Sequence, residues 1–270
     1  MQKKAVKPAH PKRIISLSLS SDEILHSLVD KKRILALTYL APDSGISNIA
    51  DSLAGIDNFI MVDPERISDL KPDLVITSSF INPEAVVMLQ KLGIPVVMYP
   101  LSDKLSEIHQ NIRLIAKAVG EEARGEQIIK AMQKEIKQQP KKDIACLYYS
   151  LDGVVAGRGT QFDELLHLAG FTNAAAKISG RKSINKEKLI ELNPDIIFVP
   201  VWYVNKDTRE GEGLVSSLLH DPALAGVRAI KNKRVYPLTD KHIICSSQYI
   251  TEGWRDLVKF SKLIEGRKSE

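Results

Sequence analysis

A stretch of twelve residues in this chain returns, altered but recognisable, 122 positions later. Glu65-Arg66-Ile67-Ser68-Asp69-Leu70-Lys71-Pro72-Asp73-Leu74-Val75-Ile76 is matched by Glu187-Lys188-Leu189-Ile190-Glu191-Leu192-Asn193-Pro194-Asp195-Ile196-Ile197-Phe198. Each copy opens on Glu, has apolar residues two and five places on, then Pro-Asp and an apolar run. The pattern predicts a short amphipathic helix stopped by its proline and followed at once by a buried strand. Solenoid repeats recur every 20–50 residues or so, far below this spacing. Two similar domains, each with its own helix-Pro-Asp-strand unit, therefore fit the pattern, and ligand clefts favour domain interfaces.

The bulk properties accommodate this. A chain of 270 residues can build two domains that each bury a core. Its 44% hydrophobic and 26% charged content is ordinary for a soluble protein, and no apolar run approaches the roughly 20 residues that span a bilayer. The start, Met1-Gln2-Lys3-Lys4, is basic, but no apolar segment follows, so a secretory signal is not expected within this chain. The net charge of +5 is scattered without a basic stripe or a recognisable motif, which argues against nucleic acid as a partner. Cys146 and Cys245 are too few for a disulfide framework and form no C-x-x-C pair. Free thiols are expected, with a single bridge left as the alternative.

Strand and helix signals alternate along the chain, as a parallel sheet covered on both faces requires. Strands are expected at 13–17, 33–37, 74–77 and 95–99, with helices over 83–92 and 102–119. Ser20 and Glu23 have capping-box spacing ahead of another helix. A further helical stripe over 121–138 ends before Pro140 and reads as a rigid connector. Beyond it the plan repeats, with strands at 144–149, 196–199 and 234–238. Helices are expected at 160–169, 186–192 and 251–264. The expected architecture is α/β, two Rossmann-like lobes joined by a single long helix with a ligand cleft between them. Its parts are an arm (1–12), an N-terminal lobe (13–120), the connecting helix (121–140) and a C-terminal lobe (141–270).

Several strings together resemble the cobalamin- and ferric-siderophore-binding proteins of ABC importers, the class III periplasmic binding proteins. They are Pro11-Lys12-Arg13-Ile14-Ile15-Ser16-Leu17 with Asp22-Glu23-Ile24-Leu25, Leu70-Lys71-Pro72-Asp73, and Leu92-Gly93-Ile94-Pro95-Val96-Val97. In the second half they are Gly157-Arg158-Gly159-Thr160, Asp163-Glu164-Leu165-Leu166, Leu192-Asn193-Pro194-Asp195 and the run from Val227 to Tyr236. The resemblance runs from about residue 11 to the end. It implies a monomeric, extracytoplasmic protein, periplasmic or lipid-anchored, that captures a small molecule and passes it to a membrane permease dimer. It also implies that Glu65 and Glu187, one per lobe, dock arginines of that permease. Carboxylates at a helix start suit the dipole and can pair bidentately with arginine.

Open α/β sheets bind ligands at the carboxyl ends of their strands. Tyr39, Phe80, Trp202, Tyr203 and Tyr249, five of the fifteen aromatics, fall at expected strand ends or loops and suit a flat or aromatic chelate. Arg158 lies between two glycines ahead of a helix start, a candidate anion contact, and His242 lies in the last such loop. Arg181 and Lys182 precede the second Glu helix and are further candidates for an anionic group, with surface solvation the equal alternative for them and for Arg209. The expected ligand is an iron complex, siderophore or haem, with a corrinoid as the alternative, and no intrinsic cofactor is implied. A zinc- or manganese-importer protein has little support, because the six histidines show no paired ligand spacing. An α/β enzyme has little more, since neither a G-x-S-x-G elbow nor a phosphate-binding glycine loop is present. No catalytic residue is assigned.

Overall fold

The computed structural model describes residues 8–205, 208–210 and 212–266. The chain forms two compact units. The first takes the chain up to Ser102, then Ser106–Met132 and Ser246–Tyr249; the second takes Asp103–Leu105, Gln133–Cys245 and the chain from Ile250 on.

The first unit contains β1 (Ile14–Ser16), α1 (Leu19–Leu28), β2 (Ile34–Thr38), β3 (Phe59–Ile60), α2 (Pro64–Asp69), β4 (Leu74–Ser78), α3 (Pro83–Lys91), β5 (Val96–Tyr99) and α4 (Leu105–Val119). Its sheet has the order β3-β2-β1-β4-β5, every pairing parallel. The register Ile14↔Leu74, Ile15↔Val75 stacks buried residues on both faces, so these strands are continuously apolar instead of alternating. On one face Ile15, Ala36, Ile60 and Val75 pack with Ile67 of α2 and Leu89 of α3. Gly120 (φ +74°) supplies the left-handed turn after α4. The next helix, α5 (Glu122–Glu135), carries the division between the units, after Met132.

The second unit contains β6 (Ala145–Tyr148), β7 (Val154–Ala156), α6 (Gln161–Leu168), β8 (Thr172–Asn173), β9 (Arg181–Ser183), α7 (Lys186–Leu192), β10 (Ile196–Asn205), β11 (Thr208–Glu210) and α8 (Glu212–His220). It ends with α9 (Arg228–Lys231), β12 (Val235–Thr239), α10 (Asp240–Ile243) and α11 (Ile250–Gly266). Strands β8, β6, β10 and β12 pair in parallel in that order, while β7 and β9 form a separate antiparallel ribbon. Ile197 and Val199 of β10 enter an aliphatic core with Leu147, Leu189 and Val235. Phe198 faces an aromatic chain instead, edge-on to Phe162 and Phe260, with Tyr148 against Phe162.

The repeated motif does the same job in both units. Asp73 accepts the backbone N–H groups of Lys12 and Arg13 (2.8 and 2.9 Å), at the entry to β1. Asp195 accepts the N–H of Ala145 (2.8 Å), at the entry to β6. The residues before the two prolines, Lys71 (φ 50°) and Asn193 (φ 41°), are left-handed. An arginine donates to each helix-end carbonyl group: Arg13 to Leu70 and Lys71, Arg228 to Asn193. The motif is thus a helix stop, an arginine clamp and an aspartate that fixes where the neighbouring strand begins.

Four expectations are corrected. Helix α1 opens at Leu19, and its N-cap is Ser18, two residues before the expected cap Ser20, with no side-chain cap bond there. Ser20 bonds Tyr99, and Glu23 is drawn into the interior by Asn48 and Ser247. Strand β10 runs on to Asn205 and turns into β11, so Trp202 and Tyr203 lie within a strand, not in a loop after it. Their side chains fall outside the described residues, as does that of Arg209. His242 sits in a short helix, α10, and Ser246–Tyr249 belongs with the first unit despite lying among second-lobe elements in sequence.

Candidate functional site

At the carboxyl ends of β1, β2, β3 and β4 the first unit opens a pocket of about 380 Å3. It is lined by residues 17–19, 38–40 and 60–62, with Ser78, Phe80 and Ile81. Tyr39 and Phe80 are therefore brought together, 54% and 83% exposed, and are joined by Met61 at 64%. Among the described residues, the lining contains no Lys, Arg, Asp, Glu or His.

A hydroxyl network supports this rim. Ser18 Oγ lies 2.5 Å from the Tyr99 hydroxyl and 2.8 Å from Ser21 Oγ, which in turn reaches Ser16 Oγ at 2.6 Å. Ser20 Oγ also meets Tyr99, at 2.6 Å. Behind Thr38 lies Asp22, fully buried, accepting from Thr38 N–H (3.2 Å) and Thr38 Oγ1 (2.6 Å). Burial pushes its pKa up to about 8, against the smaller opposing effect of bonds from Ser16 and Thr38. Burial likewise raises the Tyr99 phenol.

Next to it, the buried Glu23 carboxylate accepts from Asn48 N–H (3.0 Å), Asn48 Nδ2 (2.8 Å) and Ser247 Oγ (2.5 Å). Gln248 Nε2 donates to the Glu23 carbonyl and to Ser27 Oγ. These bonds hold Ser246–Tyr249 on the first unit, and with it the half-buried Tyr249.

In the second unit Arg158 is exposed, its backbone bonded on both sides to 178 and 180. The anion position ahead of α6 is already occupied from within. Asp163 accepts Gly159 N–H (3.0 Å) and Asn173 Nδ2 (2.9 Å), and Thr160 caps the helix by accepting Asp163 N–H. His242 is half-buried, its Nδ1 2.8 Å from Asp256 on α11. Arg181 lies over the Tyr148 ring, 5.4 Å from its centre, and Lys182 is exposed on β9. His26 and His167 are structural, bonded to Ser52 and to the Asp163 carbonyl.

Glu65 and Glu187 are both exposed and both second in their helices, after Asp63 and Asn185 N-caps. Among the described residues, no three His, Cys, Asp or Glu side chains gather as a bare metal site would need. Nor, among them, is any helix long and apolar enough to cross a membrane. Cys146 is buried and Cys245 half-buried, and no disulfide joins them.

Two parallel α/β units with this repeat agree with a family comparison: the model for periplasmic binding proteins matches residues 14–242. The chain is a periplasmic binding protein. Among its relatives is the uncharacterised ABC transporter substrate-binding lipoprotein YvrC of Bacillus subtilis, 25% identical over 267 residues, 92% of this chain and 79% of that one. The Fe(3+)-citrate-binding protein YfmC of Bacillus subtilis is 23% identical, over 84% and 72% of the two chains.

Among solved structures, a possible iron-binding, periplasmic solute-binding protein of Staphylococcus epidermidis superimposes with TM-score 0.77 at 20% identity, over 92% and 98% of the chains. The periplasmic heme-binding protein RhuT of Roseiflexus gives 0.72 at 24%, over 92% and 96%. The molybdate-binding protein MolA of Haemophilus influenzae gives 0.73 at 20%, over 97% and 90%. The binding protein shares with these the two-lobe class III fold. It is an ABC-transporter substrate-binding protein, and its family serves transport, not catalysis.

Reading the binding protein's sequence alone misses Met61 and Val62, because β3 is two residues long and carries no periodic signal. It also misses the network around Tyr99. The run Ser16-Leu17-Ser18-Leu19-Ser20-Ser21 hints at a hydroxyl cluster, but nothing local names Tyr99, 81 residues from Ser18, as its partner.

Proposed function

We propose that this binding protein captures an iron complex outside the cytoplasm and delivers it to the permease of an ABC importer. The carrying observation is the pocket at the strand ends of the first unit, where Tyr39 and Phe80 stand exposed at the end of the sheet at which open α/β folds take their ligands. The relatives named for Fe(3+)-citrate and heme support the ligand class. Tyr39, Phe80 and the half-buried Tyr249 are the proposed ligand contacts of the first unit. In the second, the exposed Arg158 is proposed to meet an anionic group, and Trp202, Tyr203 and His242 are further candidates. The Asp256 bond limits His242 to its other ring nitrogen.

Glu65 and Glu187 are proposed to dock the permease. Their support is positional: in each unit the same helix of the repeated motif presents an exposed carboxylate in its first turn. Reversing both to Lys is expected to abolish uptake while ligand affinity stays within about twofold, since exposed helix-start charges contribute under about 1 kcal/mol to the fold. Unchanged uptake in that double variant removes the docking role. Failure of ferric complexes of every kind to bind the unmodified protein removes the ligand class.

A further inference from the structure

Helix α3 is apolar on two sides. Val86 and Leu89 are buried, Leu89 within the aliphatic core of the first unit. Yet Val87 (47%), Met88 (41%) and Leu92 (46%), at the end of the same helix, stand exposed. A surface helix ordinarily turns polar residues outward, and one that is apolar all round is covered by something. Here Pro83, Glu84, Val87, Met88, Lys91 and Leu92 line a groove of about 590 Å3. The positions 84, 87, 88 and 91 follow the i, i+3, i+4, i+7 spacing by which one helix lays a face on another.

The order of residues along this face is self-complementary. A two-fold interface pairs residue i with j and j with i. With the axis between Val87 and Met88 and two copies of α3 antiparallel, Val87 opposes Met88, Glu84 opposes Lys91 and Pro83 opposes Leu92, each twice. Apolar groups then meet apolar groups, and each exposed charge meets its opposite. A parallel pairing would set Glu84 on Glu84 and Lys91 on Lys91, which is repulsive.

We propose that this face of α3 is an interface between two copies of the chain, packed antiparallel about a two-fold axis. A dimer then replaces the monomer that the family resemblance implies. The association does not depend on which ligand is captured. Six residues per copy fall well short of the roughly 20–30 a side of a standard interface, so the dimer is weak and forms at raised concentration.

Sedimentation of the full chain over about a hundredfold range of concentration, into the high micromolar, is expected to show a reversible monomer–dimer equilibrium. Glu84→Lys and Lys91→Glu, each alone, turn both opposite-charge pairs into like-charge pairs and should weaken the dimer about tenfold or more. An equimolar mixture of these two variants should associate about as well as the parent, because each supplies the charges that the other lacks. The double swap of Glu84→Lys with Lys91→Glu should associate likewise, and Met88→Glu should abolish association. Each position is exposed, and cooperative thermal unfolding of every variant shows that the fold is kept.

A parent chain that stays monomeric throughout overturns the proposal, and a loss of uptake in Met88→Glu would then give this face to the permease. A dimer that the single swaps leave intact, or that the mixture does not recover, also overturns it, because the copies then meet by another surface or in another register.

Discussion

Replacing Asp22 by Asn should change how stability depends on pH more than stability itself. Asp22 is 0% exposed, and burial raises its pKa from 3.8 to about 8. Between those two values the folded protein holds a proton that the unfolded chain has released. Folding therefore takes up a proton, and stability is greatest below about pH 4, falls as pH rises through the window and levels off above about 8. The slope for one proton is about 1.4 kcal/mol per pH unit, so stability should drop by roughly 3 kcal/mol between pH 5 and 7.5. Asn keeps the shape, can accept from Thr38 N–H and donate to Thr38 Oγ1, and has no proton to exchange. Urea unfolding of both proteins at half-unit steps of pH gives the comparison, and other titrating groups cancel in the difference. The two should be nearly equal at pH 5, with the Asn variant more stable by about 3 kcal/mol at pH 7.5. Parallel curves across this window would refute the reasoning. They would mean that the bonds from Thr38 and Ser16 outweigh desolvation and that the carboxylate is ionised in the core.

Three further outcomes follow from the repeated motif and the thiols. Lys71 is left-handed at the end of α2, so Lys71→Gly should stabilise the protein by roughly 0.5–1 kcal/mol in chemical denaturation, and a loss would count against backbone strain there. Asp195→Ala removes the acceptor of Ala145 N–H and the ion pair with Arg228 (3.2 Å), and should cost about 1–3 kcal/mol. An unchanged unfolding midpoint would show that the aspartate does not fix the start of β6. Cys146 is buried, and burial holds its thiol well above the ordinary value, so a thiol reagent should label Cys245 first and Cys146 only on unfolding. Mass mapping that finds both labelled at one rate contradicts this.

Local grammar was enough to read the alternation of strand and helix, the helix-Pro-Asp-strand units and the exposed glutamates at their heads. Each of these depends on neighbours within a turn or two: Pro72 and Pro194 stop helices wherever they fall, and continuous β-branched runs make buried parallel strands. Ser20 and Glu23 show where such grammar fails. Their spacing suits a helix cap, yet long-range partners, Tyr99 for one and Asn48 and Ser247 for the other, win both side chains. A two-residue strand carries no period, so β3 and the Met61–Val62 rim were invisible until the sheet supplied its place at the edge of β2. The assignment of Ser246–Tyr249 to the first unit was equally beyond the sequence. It is decided by a buried carboxylate more than 220 residues away, because an interior charge must find its donors wherever the fold brings them.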